Sequence, residues 1–148
     1  IKTIELNGEK LNEAFAPMSV TMTLADEIDI SRGGMIVREN NMPDLGQDLD
    51  ILVTWMNIKP LHSRTKVIVK HTTNECMAMV NAIKYKVDIN TLHRIEDIDK
   101  LEMNDIGRIT LRTSMPLFYD SYKRNRQTGS LIIIDEQTNE TIGAGMII

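Results

Sequence analysis

The chain closes on GSLIIIDEQTNETIGAGMII, Gly129–Ile148. Leu131 to Ile134 are apolar, DEQTNE is polar, and Gly143-Ala144-Gly145 sits inside a second apolar run that reaches the last residue. Two short apolar runs about a polar turn spell a β-hairpin. Glycine inside a strand marks a bulge or a close approach, as where a barrel turns a corner. The unbroken Leu131–Ile134 run predicts a strand buried on both faces, as in a barrel packed against a neighbour.

Working outward, the same grammar recurs. IKTIELNGEKL alternates apolar and polar around Asn7-Gly8, a dipeptide whose residues tolerate positive φ and so favour a tight hairpin. MSVTMTLA puts Val20, Met22 and Leu24 on one face. DISRGG is a turn with Gly33-Gly34 supplying backbone freedom, and MIV after it a short strand. RENNMPDLGQDLD is polar, with Pro43 and Gly46, and reads as a linker. Strand patterns resume in ILVTWM, TKVIVKH and ECMAMVNAIKYKVD. The last is long, with Met77, Met79, Asn81, Ile83, Tyr85 and Val87 on one face. LHRIEDIDKLEM spaces Ile95, Ile98 and Leu101 three apart, which suits a helical turn. IGRITLRTS is a strand ended by Pro116, and LFYDSYKRNRQTG a long loop. About ten strands and no helix long enough for a parallel crossover predict an all-β fold of barrels or sandwiches.

The chain has 148 residues, enough for one domain or two small ones. At 42% hydrophobic residues it has the composition of a folded globular protein. No apolar run approaches the ~20 residues of a membrane helix, and no signal peptide pattern opens it. The first residue is Ile1 rather than Met, so an earlier start is expected. A single cysteine, Cys76, precludes an internal disulfide and reads as a buried, inert thiol. The net charge is -4, against a dedicated nucleic-acid binder. It is uneven: residues 1–50 hold 4 Lys/Arg and 10 Asp/Glu, residues 51–148 hold 13 and 11. The asymmetry predicts two units with different surroundings.

Chemistry-bearing patterns are sparse. There is no GxxxxGK(S/T) phosphate loop, and Gly143 and Gly145 follow a turn within a strand, the wrong setting for a dinucleotide fingerprint. His62, His71 and His93 lack metal-site spacing and read as ordinary histidines. The carboxylates of DEIDIS (Asp26–Ser31) and EDIDK (Glu96–Lys100) lack the calcium-loop pattern and read as solvated turns. Nothing resembles a nucleophile elbow. No catalytic, cofactor-binding or metal-ligating residue is therefore assigned. Lys123, Arg124 and Arg126, with the basic residues of KPLHSRTKVIVKH, are a candidate patch for phosphate or an acidic partner.

VTMTLADEIDISRGGMIV resembles the end of the second domain of translation-factor-type GTPases, and NRQTGSLIIIDEQTNETIGAGMII the end of their third. AIKYKVDINTL and LEMNDIGRITLRTSMPLFYDSY narrow the match, and the whole chain is similar to the GTP-binding large subunit of bacterial ATP sulfurylase, sulfate adenylyltransferase subunit 1. The resemblance implies a GTPase domain before Ile1, then two β-barrels. Residues 1–37 would be the C-terminal part of the second-domain barrel, 38–49 a linker, and 50–148 a complete third-domain barrel. GTP and magnesium would sit on the preceding domain, leaving no cofactor in these residues. The resemblance further implies a cytoplasmic protein whose barrels position the GTPase domain and touch the catalytic subunit, the partner that makes adenosine 5′-phosphosulfate from ATP and sulfate. No family residue that matches here is catalytic. Neither nucleic acid nor membrane is an expected partner, and an open barrel edge in residues 1–37 is expected to favour self-association. The alternative is the corresponding module of a translation elongation factor, which would bind tRNA or ribosome. Alternation places Val53, Val67, Val69, Val80, Ile109, Leu111, Ile133 and Ile147 in the core.

Overall fold

The computed structural model describes residues 1–148 and divides into two compact units, Ile1–Ser31 and Arg32–Ile148. It contains twelve strands and no helix.

In the first unit, β1 (Thr3–Leu6) pairs antiparallel with β2 (Glu9–Leu11) and β3 (Thr21–Thr23), in the order β2-β1-β3. The β1–β2 turn has Asn7 at φ 51° and Gly8 at φ 87°. Both central residues are left-handed, as the right-handed twist of a two-residue hairpin requires. Across β1 and β3, the Thr3 and Thr23 hydroxyls share a 2.7 Å hydrogen bond.

In the second unit, β4 (Asp44–Trp55), β5 (Leu61–His62), β6 (Lys66–His71), β7 (Asn74–Val87), β8 (Arg94–Ile95), β9 (Lys100–Leu101), β10 (Ile106–Tyr119), β11 (Ser130–Ile134) and β12 (Thr141–Ile147) follow. The order β10-β4-β12-β11-β6-β7, closed by β10–β7, makes an antiparallel six-stranded barrel with no free edge. All eight residues expected in the core are at most 2% exposed. Leu49, Ile51, Trp55, Leu61, Leu101, Leu117 and Leu131 join them. In the closing hairpin both glycines face inward. A Cβ on Gly145 would lie 2.9 Å from Ile51 Cδ1 and 3.0 Å from Leu131 Cδ1, so neighbouring aliphatics already fill its place. The intervening DEQTNE turn is tied by Asp135, whose carboxylate accepts the Gln137 and Thr138 N–H groups at 2.8 and 2.9 Å.

Several expectations are corrected. Leu92–Met103 forms no helical turn: Ile95 pairs with Lys86, Leu101 pairs with Leu61, and Asp97 at φ 56° interrupts any helix between them. Residues 44–49 of the expected linker belong to β4, where Gly46 pairs with Leu117 and Leu49 with Leu111. Its polar composition disguised a strand whose outer positions face water. Met35–Val37 is not a strand. Pro116 does not end β10; the ladder with β4 shifts register between Arg112 and Leu117 and resumes. Gln47 Nε2 donates to the Thr113 carbonyl at 3.2 Å, and Thr113 Oγ1 donates to the Met115 carbonyl at 2.7 Å, filling the gap beside the proline. β7 does not keep one face throughout. Register shifts against β10 leave Asn81 and Lys84 unpaired, so Cys76, Ala78 and Val80 point inward before the shifts and Ile83 after them. The Leu131–Ile134 run is buried on one face only; Ile132 and Ile134 are half-exposed outside the barrel.

Candidate functional site

The singled-out residues do not converge. His62 and His93 are exposed, on β5 and in a turn, whereas His71 is fully buried at the end of β6. His71 Nε2 donates to the Thr128 carbonyl at 2.8 Å, leaving Nδ1 without a partner. No group of three or more His, Cys, Asp or Glu side chains is placed to hold a metal. Asp26, Glu27 and Asp29 are exposed, as are Glu96, Asp97 and Asp99. Cys76 is half-buried, and burial pushes its thiol pKa up, which disfavours the reactive thiolate.

The basic loop is better organised than its sequence indicates. The Tyr122 N–H donates to the Ile147 carbonyl at 2.8 Å, and the Gly129 N–H to the Asn125 carbonyl at 2.8 Å. A side chain at Gly129 would strike the Tyr122 backbone, so only glycine closes this turn. Arg124 is spent internally, on Asp120 at 3.2 Å and the Asn41 side chain at 2.9 Å. Asp120 in turn accepts the Thr128 hydroxyl at 2.7 Å. Lys123 and Arg126 remain exposed, with the Arg126 guanidinium 5.9 Å from the Tyr122 ring centre. Lys70 on β6 lines a groove together with Tyr122 and Gln127. Thus the KPLHSRTKVIVKH and YKRNRQTG stretches share one depression, but of their basic residues only Lys70 lines it; the other stretch contributes Tyr122 and Gln127.

Sequence reasoning missed a second charged assembly, on β4, β10 and β7. Asp50 accepts two bonds from Arg108, at 2.8 and 2.7 Å, and one from Lys84 at 2.8 Å. The Arg108 hydrogen bond leads in holding the Asp50 pKa below the ordinary carboxylate range, and the same contact raises Arg108. Arg112–Asp48 at 2.7 Å and Lys86–Asp105 at 3.3 Å extend this face. Every carboxylate there has a cationic partner, so the arrangement fastens strands and leaves no free base or nucleophile. The register shift that brings Lys84 to Asp50 has no signal in a single sequence.

Comparison with known proteins now bears on these features. Residues 48–148 match the model of the GTP-eEF1A C-terminal domain-like family. The chain belongs to that family. Over its full length it is 45% identical to the bifunctional enzyme CysN/CysC of Rhodopirellula baltica, covering 23% of that protein. It is likewise 44% identical over its whole length to sulfate adenylyltransferase subunit 1 of Francisella tularensis subsp. tularensis, covering 31% of it. The chain thus spans less than a third of the length of these relatives. The structure of Sup35 complexed with GDP superposes with a TM-score of 0.83 over 99% of this chain and 36% of that one, at 13% identity, a likeness of fold alone. The resemblance to ATP sulfurylase large subunits is thereby met, and the elongation-factor-like barrel with it. No helix is long and apolar enough to cross a membrane.

Proposed function

We propose that this chain is the non-catalytic β-barrel portion of the GTPase subunit of a sulfate adenylyltransferase, a cytoplasmic enzyme of sulfate assimilation. The protein carrying it would hydrolyse GTP, with magnesium, on another domain and drive a catalytic subunit that forms adenosine 5′-phosphosulfate from ATP and sulfate. Residues 1–37 would be the C-terminal part of a second-domain barrel, and the strands from β4 at Asp44 to β12 would be the third-domain barrel, with the linker shortened to the residues before Asp44. The barrels would hold the GTPase domain against the catalytic subunit. The observation that carries this reading is 44% identity across all 148 residues to a protein named sulfate adenylyltransferase subunit 1 and 45% to a bifunctional CysN/CysC enzyme, against 13% to Sup35.

Copurification tests this. The protein carrying the chain, tagged and expressed from its own genome, should retain the catalytic subunit. Recovery of tRNA or ribosomes instead would favour the translation-factor reading and overturn ours.

A further inference from the structure

The barrel exterior has two characters. Across β7, β10 and β4 it carries the paired charges around Asp50 and Asp48. Across β6, β11 and β12 it is aliphatic, with Ile68, Ile132, Ile134, Ala144 and Met146 all half-exposed. A groove of about 530 Å³ crosses this second face. Ile132, Ala144 and Met146 line it from β11 and β12, Lys70 from β6 beside Ile132, and Tyr122 and Gln127 from the loop before β11. Arg126 lies over the ring of the lining Tyr122.

The charge of the rim is uncompensated. Neither Lys70 nor Arg126 belongs to an ion pair, unlike Arg124 beside them. Glu75 is the cross-strand neighbour of Lys70 on β7 but makes no ion pair with it. No carboxylate lines the groove. An aliphatic floor lined by the unpaired Lys70, with the unpaired Arg126 over the lining Tyr122, calls for a ligand that carries both apolar and acidic side chains. A nucleic acid fits less well: strand-binding grooves set several cations along a backbone track and several aromatic faces for the bases, and here Arg126 already covers the one aromatic wall.

We propose that this groove docks an acidic, apolar-anchored segment of the catalytic subunit. Apolar side chains of that segment rest on Ile132, Ala144 and Met146, and its carboxylates meet Lys70 and Arg126. The proposal rests on the functional reading above and adds the surface and the chemistry of the contact. Rim charges steer association, so the contact should weaken with salt.

Biolayer interferometry between the 148-residue chain and the purified catalytic subunit of the same genome tests it. The double charge reversal K70E with R126E should weaken binding at least about tenfold at low salt, with a smaller effect in high salt. Met146→Glu, on the floor, should weaken it as well, and Lys10→Glu in the first unit should not. Circular dichroism melts of each variant separate loss of fold from loss of contact. Wild-type binding that survives the groove variants would overturn the groove while leaving the functional reading intact. No wild-type binding would overturn the barrel's contact with the subunit, and the groove assignment with it. Self-association of the chain that the double reversal abolishes would name a second copy as occupant and also overturn the proposal.

Discussion

Gly145 shows how closely single residues are constrained. Its missing Cβ is the space taken by Ile51 and Leu131. Gly145→Ala should destabilise the barrel by about 1–3 kcal/mol through overpacking, read as a lower midpoint in urea. Ile133, with no exposed surface, sits on the opposite argument. Truncation to Ala should cost about 2–5 kcal/mol, and a change under about 0.5 kcal/mol would mean the side chain is not in the core. Asp50 gives a pH prediction. Its pKa is lowered in the fold, so its contribution is present above the unfolded value of about 3.9 and is lost as pH falls through the folded one. Partial exposure screens the contact, so Asp50→Asn should cost only about 0.5–1 kcal/mol at pH 7. The gap between variant and wild type should close as the pH is lowered below the ordinary carboxylate range; a gap that stays constant as the pH falls would mean that the carboxylate charge is not what matters. Strand alternation made the core positions legible, because burial follows period two. The Asp50–Arg108–Lys84 contact was illegible, because it depends on which strands become neighbours and on where one of them is bulged.

Among elements, strands were read well where one face is aliphatic and poorly where polar residues dominate. Asp44–Asp50 looked like linker because its pairing energy comes from backbone ladders with β10, which leave no mark on composition. The Leu92–Met103 spacing mimicked a helix, but its three apolar residues have different settings: Ile95 is exposed on β8, Ile98 packs on the core from between the two fragments, and Leu101 is buried on β9. The basic loop could be recognised as a loop, but its meeting with Lys70 needed the β6–β11–β12 neighbourhood. The β1–β2 hairpin is the element most dependent on its turn. Gly8 has φ 87° and open space around it, so Gly8→Ala tests backbone strain without steric clash. A cost of about 1–2 kcal/mol in the first unit is expected, seen as faster amide exchange in Thr3–Leu11 with Arg32–Ile148 unchanged. Unaltered protection would show that the turn conformation contributes little.

At the scale of the whole molecule, two properties follow from what the units contain. The three-stranded sheet of Ile1–Ser31 has two free edges, on β2 and β3, and free edges recruit other strands. Light scattering should therefore find concentration-dependent association of this chain; a strictly monomeric chain with protected amides in those strands would contradict it. The chain should also give no specific heat on titration with GTP and magnesium, since no backbone cradle for phosphates is present; micromolar affinity would show a site that the sequence does not announce. On the proposed reading this chain belongs to a larger protein that uses GTP to drive a catalytic subunit. The most direct measurement is the rate of pyrophosphate release from ATP and sulfate by that protein together with its catalytic subunit, with and without GTP. GTP should accelerate the reaction, and removing Arg32–Ile148 should abolish the acceleration while leaving the catalytic subunit's basal rate in place. A rate indifferent to GTP, or a stimulation that survives loss of the barrel, would contradict the account.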